Sequence, residues 1–358
     1  MTLIAGFAPL PPLQVLGPRW RALEARAAPN VFLGWTWMES WLAATGAQPE
    51  LLTVQDGDRD VALALVGRAT DRRLLGHVQT LWLNQSGVPA QDRPFIEHNG
   101  LLTVTDASPD IARIVLAALL DRTDWRALRL SGVAPDAPLL RAAGQSGRFR
   151  RHIRIDASPA HHVDLTAVRA AAGDYLSLLS ANSRNQIRRA EKEEGGAPAV
   201  STAGADDIAP WLADMATLNA GRHADNAWDE PLFRAFAAAL VRAGIASGEV
   251  ELLRFDADDG RIGYLLNLIS GNRAMNYQSA FIAPRAAKAK PGLVCHAAAV
   301  GHYAARGLDL YSLLAGKDRY KQSLSTGAET LEWWTLERFS PRLEAEALLR
   351  RVLRRPAG

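Results

Sequence analysis

The sequence predicts a mixed α/β fold, an α+β arrangement around a mixed sheet, made of two tandem copies of one module. Three observations predict it. The chain has 358 residues, more than one ordinary hydrophobic core holds. Its second half reads as three antiparallel strands, a loop, a helix, a strand, a charged turn and a last strand. Its first half repeats that order of elements loosely, without repeating the residues. The modules are accordingly expected at 1–150 and 151–358.

Each element has a local cause. In the first half, "VFLGWTWMESWLAATG" (31–46) reads as an amphipathic helix, with Trp35, Trp37 and Trp41 as core. "ELLTVQ" (50–55) and "VALALVGRA" (61–69) flank the turn signal "DGDRD" and form a hairpin. A third strand follows at 78–86, then a helix at 110–122 and a strand at 125–133. In the second half a helical segment spans 174–193. Three strands follow at 250–255, 261–270 and 273–282, the last two joined by the tight-turn pair Gly271-Asn272. The basic loop "APRAAKAKPG" (283–292) leads into a helix at 293–307 that stops at Gly307. Strands at 308–315 and 330–339 complete the module.

Composition narrows the function classes. Apolar content is 48% and charged content 22%, the values of a globular protein. No apolar run reaches the roughly 18–20 residues of a membrane span. The opening stretch lacks a basic n-region and a small-residue cleavage site, so no signal peptide is expected and a cytoplasmic location is. A net charge of +3, from 41 basic and 38 acidic side chains, is weak for a DNA binder. It still allows contact with a phosphorylated ligand or an anionic membrane surface. One cysteine, Cys295, permits neither a disulfide nor a cysteine-based zinc site within one chain. His161 and His162 are neighbours, and His296 and His302 are six apart, so no helical metal spacing occurs and no metal is expected. Phosphate loops of the G-x-x-x-x-G-K-[ST] and G-x-G-x-x-G types are absent, as is a G-x-S-x-G elbow.

Four segments can carry chemistry. On the 174–193 helix, Arg184, Arg188 and Lys192 recur at i, i+4 and i+8. That stripe suits an anionic ligand, or simply a solvated face. Lys288 and Lys290 precede a helix N-terminus, where free N–H groups and the helix dipole attract anions. Glu97 and His98 stand side by side in a turn, and either can accept a proton from an amine. In "GLDLYSLLAGKDRYK" (307–321) a buried strand runs into Gly316, then Lys317, Asp318, Arg319, Tyr320 and Lys321. This is either a wet turn or a site at the mouth of a sheet.

The residues "LSANSRNQIRRAEK" and "MNYQSAFIAPRAAKAKPGLVCHAAAVGHYAARGLDLYSLLAGKDRYKQSL" resemble the BioF2-like branch of the GNAT N-acyltransferases. The matching positions are Ser180, Arg184, Arg188, Arg189, Pro291, Gly292, Arg306, Gly307, Asp309, Gly316, Tyr320 and Lys321. The likeness covers about 174–325, with "W-x-x-S-W" (37–41) the best match in the first half. The Fem transferases are relatives with the same doubled module, and the chain also resembles bacterial ceramide synthases more loosely.

That resemblance implies two tandem GNAT folds and transfer of an acyl group from a thioester, with acyl-CoA as co-substrate and no covalent cofactor. The acceptor is then an amine, with a sphingoid long-chain base as the specific candidate, and a lipid acceptor would bring peripheral membrane contact. A Fem-like use of aminoacyl-tRNA and a non-catalytic binding role are the alternatives. Direct transfer is expected, because Cys295 sits within a helix. Glu97, His98 or Asp309 would take the amine proton. Tyr277, its neighbouring strand amides, Tyr320 and Lys321 would stabilise the oxyanion. Arg184, Arg188, Lys288, Lys290, Gly292 and Lys317 would hold the donor.

Overall fold

The computed structural model describes residues 3–222, 225–258, 260–286 and 288–353. The first half contains β1 (Leu3–Ala8), α1 (Leu13–Glu24), α2 (Trp35–Thr45), β2 (Glu50–Asp56), β3 (Arg59–Arg73), β4 (Gly76–Leu83), β5 (Leu102–Thr103), α3 (Ile111–Asp121), β6 (Ala127–Val133) and α4 (Pro138–Ser146). A long strand, β7 (Phe149–Asp164), leads into α5 (Leu165–Ala170), α6 (Ala181–Glu193), β8 (Ala199–Thr202), α7 (Ile208–Asn219) and α8 (Pro231–Ser247). Then come β9 (Val250–Ala257), β10 (Gly260–Ser270), β11 (Arg273–Phe281), α9 (Pro291–Ala305), β12 (Leu310–Ala315), α10 (Arg319–Leu324), β13 (Gly327–Arg338) and α11 (Pro341–Leu353). Among the described residues no helix is long and apolar enough to cross a membrane.

The two halves share one topology. Strands β2, β3 and β4 form an antiparallel meander, and α3 carries the chain over to β6, which lies parallel to β4. Strands β9, β10 and β11 do the same, and α9 carries the chain to β12, parallel to β11. Strand β10, "GRIGYLLNLIS", is apolar along nearly its whole length because both its faces are covered. Pro291 sits at the first turn of α9, where its missing N–H costs nothing, and Gly307 ends that helix region at φ +83°.

The halves then exchange their last strands. Strand β7 follows the first half but pairs antiparallel with β12 of the second. Strand β13 follows the second half but pairs antiparallel with β6 of the first, and β7 and β13 pair with each other. The result is one continuous 13-stranded sheet in the order β1-β2-β3-β4-β6-β13-β7-β12-β11-β10-β9-β8, with β5 added on β3. The division expected at 150 falls at the start of β7, and it leaves β13 on the far side of the cut from its partner β6.

Segment 149–164, "FRRHIRIDASPAHHVD", is a strand although it carries several charges and a proline. Its charges are answered across the ladder: Arg151 donates to Glu337 and Arg154 to Glu332, both at 2.9 Å. The charged turn expected after β12 contains a short helix, α10.

The core also crosses the halves. The Trp37 ring packs edge-on against Phe236 of α8 (5.0 Å between centroids) and Tyr277 of β11 (5.2 Å). Trp35, Trp37 and Trp41 are all buried, as their spacing predicts. With β13 inserted between the halves, unfolding is expected as one cooperative transition in a denaturant titration. Leu336 of β13 is fully buried in the core of the first half. Leu336→Ala should lower the stability of the whole chain by about 2–5 kcal/mol.

Candidate active site

The parallel pair β11–β12 is hydrogen-bonded only over Arg273–Met275 and Leu310–Ser312. Beyond those residues the strands part, and the fork opens on a cleft of about 1020 Å³. Both arms are bent. Tyr277 is the extra residue of a β-bulge, since Leu266 pairs Gln278 while Asn267 pairs Asn276. On the other arm the register with β7 slips between Ser312 and Ala315, and Leu314 takes a positive φ of 57°. A bulge leaves one residue out of the ladder and turns the strand, so bulges at both arms widen the fork.

The N-terminus of α9 contributes Gly292, and a Cβ there would lie 3.0 Å from the Phe281 ring. Lys290 lines the cleft, and its Nζ donates to Gln186 Oε1 of α6 (2.8 Å). Arg93, Arg222, Arg319 and Lys321 also line it, against one acid, Asp225. Arg93 pairs with Asp225 (2.9 Å), and Arg222 donates to the Phe281 carbonyl (2.6 Å).

At the tip of β12 one residue links two charged groups. The Ala315 N–H donates to Glu97 Oε2 (2.9 Å), and the Ala315 carbonyl accepts from Lys321 Nζ (2.7 Å). Glu97 belongs to a loop of the first half, so this contact joins the halves at the mouth of the fork. Burial pushes the Glu97 carboxyl above its ordinary value, with the Ala315 amide and Lys321 opposing. Burial likewise lowers Lys321, with Glu97 and Asp318 opposing. Burial thus moves the two groups toward each other in pKa, with Ala315 between them. The Tyr277 hydroxyl is buried beside them and raised by burial and then by Glu97, so it remains a protonated donor. Gly316 adopts φ +156°, which other residues rarely do, and it leaves room for Lys321 Nζ 2.8 Å from where a Cβ would stand.

Tyr320 stacks on His296 of α9 with ring centroids 6.0 Å apart. The His296 Nδ1 shares a hydrogen bond with the Tyr311 hydroxyl (2.8 Å), and burial lowers its pKa to about 3. Cys295 is fully buried in the same helix, and burial raises its thiol well above the usual value.

Of the residues singled out in the sequence, Tyr277, Tyr320, Lys321, Lys290 and Gly292 line the cleft, with Glu97 directly behind Lys321. The others lie elsewhere. His98 turns away at φ +48°, stacks near Phe32 (6.2 Å) and lines a separate cavity of about 560 Å³. Asp309 stands at the opposite end of β12, held by Arg169 (2.9 Å) and Asn272 (3.0 Å). Arg184 and Arg188 lie on the wrong face of α6, since that helix turns Asn182 and Gln186 toward the cleft. Lys317 pairs with Asp156 outside it, and Lys288 is an exposed turn residue that does not line it. Arg93 and Arg222 were missed because they sit in loops without a motif. Arg319 was visible only as one charge of the "GKDRYK" cluster.

Residues 180–322 match the family described as acetyltransferase (GNAT) domain. No curated protein sequence matches. Among solved structures, FemX is 10% identical, with 96% of this chain and 99% of that chain covered and a TM-score of 0.56. A conserved protein of unknown function from Bacteroides thetaiotaomicron VPI-5482 is 11% identical, covering 94% and 100%, with a TM-score of 0.57. L-PGS from Bacillus licheniformis is 9% identical, covering 95% and 97%, with a TM-score of 0.52. At these identities the likeness is one of fold.

His296 makes the site acid-sensitive in a defined way. Below pH 6.5 the unfolded chain binds a proton that the fold excludes down to about pH 3. Stability therefore falls as pH drops through that window, by about 1.4 kcal/mol per unit from this group. Denaturation of wild type and His296→Phe between pH 4 and 7 checks it. The variant should show the shallower pH slope, and equal slopes would count against the assignment.

Proposed function

We propose that this acyltransferase moves an acyl group from a CoA thioester to a primary amine by direct attack. The observation that carries the reading is the β11–β12 fork, open on a cleft with five cationic side chains and one acid. Coenzyme A is rich in phosphate, and Lys290, Arg222 and Arg319, with the amides at the start of the 15-residue α9, suit it. The bulge at Tyr277 leaves a backbone N–H outside the ladder at the point where a thioester carbonyl would lie.

The steps follow from the groups at hand. Glu97, raised by burial and set behind the cleft wall, takes the proton from the attacking ammonium through an intervening water. The free amine adds to the thioester carbonyl, and the oxyanion forms against the Tyr277 amide and Lys321. Collapse breaks the carbon–sulfur bond, and the second proton of the attacking nitrogen passes through water to the departing sulfur, leaving the neutral amide and CoA thiol with Lys321 still cationic. Cys295 is an unsuitable nucleophile because its thiol is buried and raised, so no acyl-enzyme is needed.

The repeated meander and crossover support two copies of one module, with the boundary near 150. For the acceptor, the apolar wall of Phe95, Ala227, Trp228 and Leu293 favours an amine with an aliphatic chain. A sphingoid base is the case to test first, and a lipid acceptor would bring the protein to a membrane surface. The cationic cleft and the FemX-like fold also favour a second reading, in which the donor is the acylated end of an aminoacyl-tRNA.

Thiol release across acyl-CoA lengths and amine acceptors tests this directly. Folded Lys321→Ala should lose about 10²–10³-fold in kcat. Lys290→Ala and Arg319→Ala should raise KM for the thioester and leave kcat nearly unchanged. Wild-type rates in Lys321→Ala would sink the site. Ribonuclease-sensitive activity would replace CoA with tRNA as donor, and binding of acyl-CoA without thiol release would mean a binding protein.

A further inference from the structure

The first half has a fork of its own. Strands β4 and β6 are hydrogen-bonded only over Thr80–Trp82 and Ala127–Arg129 and then part, as β11 and β12 do. The mouth of that first fork is bridged by the chain itself, beside a cavity of about 560 Å³. Asn99 bridges its arms: Nδ2 donates to the Leu83 carbonyl at the end of β4 (3.0 Å), and its N–H donates to the Gly132 carbonyl of β6 (3.0 Å). Asn84 Nδ2 donates to Asn99 Oδ1 and to the Gly100 carbonyl, both at 2.8 Å, while Asn84 Oδ1 accepts from the Leu65 N–H (2.8 Å). Asn30 Nδ2 holds the His98 carbonyl (2.8 Å). Asn84 and Asn99 are both buried.

The backbone is shaped to admit this segment. Gly132 has φ +63°, and a Cβ there would lie 2.7 Å from the Ile96 carbonyl oxygen and 3.0 Å from Glu97 Cα. Only glycine lets 96–97 lie so close to β6. Asn84 and His98 both sit at positive φ (50° and 48°), a strained region that persists where the surroundings over-determine it. A loop tip held by three asparagines and a glycine is far more constrained than a connection requires. Its one product at the far side is the Glu97 carboxylate on the Ala315 amide.

We infer that Asn30, Asn84 and Asn99 are positioning residues that lock segment 96–100 into the first fork and so set Glu97 beside Lys321 in the second. The inference rests on Glu97 as the proton acceptor and extends it. The cavity of about 560 Å³ remains beside this fork, lined by Leu83, Asn99, Leu130 and Val133. The first half uses the mouth of the fork as a clamp for the base that serves the other half.

The experiment compares full-length wild type, Glu97→Gln, Asn99→Ala and Asn30→Asp in the thiol-release assay across pH. Asn30→Asp keeps the Oδ1 cap on the Phe32 N–H and replaces the donor to the His98 carbonyl with a carboxylate oxygen, which releases that carbonyl. Both asparagine variants should lower kcat by about 10–100-fold, as a small misplacement of a reacting group does. KM for acyl-CoA should stay unchanged, because no cleft cation is touched. The acid limb of the rate profile should move to lower pH, since a loosened Glu97 gains water and its raised pKa relaxes downward. If Asn99→Ala fails to fold, Asn30→Asp alone decides the matter. Loss of activity in Glu97→Gln with wild-type kcat and acid limb in the asparagine variants overturns the positioning role and leaves the base intact. Full activity in Glu97→Gln overturns the base and the positioning role together.

Discussion

A β-strand at a sheet edge carries amides and carbonyls that must find partners, and that requirement organises this molecule. Each half builds a meander and a parallel crossover, and each then presents a bare edge, at β6 and at β12. The chain covers both edges by exchange: β7 crosses to β12 and β13 returns to β6. Because β7 and β13 also pair with each other, the halves cannot separate without breaking a long ladder. The relative position of the two forks is thereby fixed by backbone hydrogen bonds rather than by side-chain packing alone.

That fixed distance is what lets a loop from one fork serve the other. The same local geometry, a parallel pair that parts after three residues, has two outcomes in one chain. Near β4 and β6, asparagines and Gly132 draw the chain across the opening. Near β11 and β12, bulges on both arms keep it open, and cations surround it. Ala315 is where the bridged fork and the open fork touch, with Glu97 on its N–H and Lys321 on its carbonyl.

Burial sets the chemistry at that contact. Glu97 and Lys321 are each pushed toward neutrality, and each is partly restored by the other. Burial moves both groups from their ordinary values in the direction of neutral pH, the direction that favours proton transfer. His296 and Tyr320 make an apolar floor beside them, with the imidazole held neutral by the same desolvation.

Local patterns in the chain are enough to place the strands of both meanders, the helices α2, α3 and α9, the turn at Gly271 and the buried tryptophans. These depend on period and on turn residues that neighbours in sequence decide. The sequence also pointed to Lys290, Gly292, Tyr277, Tyr320 and Lys321, which lie on elements bordering the fork. It could not show that Asp309 and Lys321 sit at opposite ends of β12, or that α6 turns Gln186 rather than Arg184 to the cleft. It missed β7, whose arginines become strand residues only when Glu332 and Glu337 arrive from β13. Glu97 and His98 were adjacent and equivalent as letters. Only tertiary structure separated them, because the left-handed backbone at His98 and the clamp at Asn99 send one to Ala315 and the other into a different cavity. Contacts across more than 200 residues decide that choice, and no local pattern encodes them.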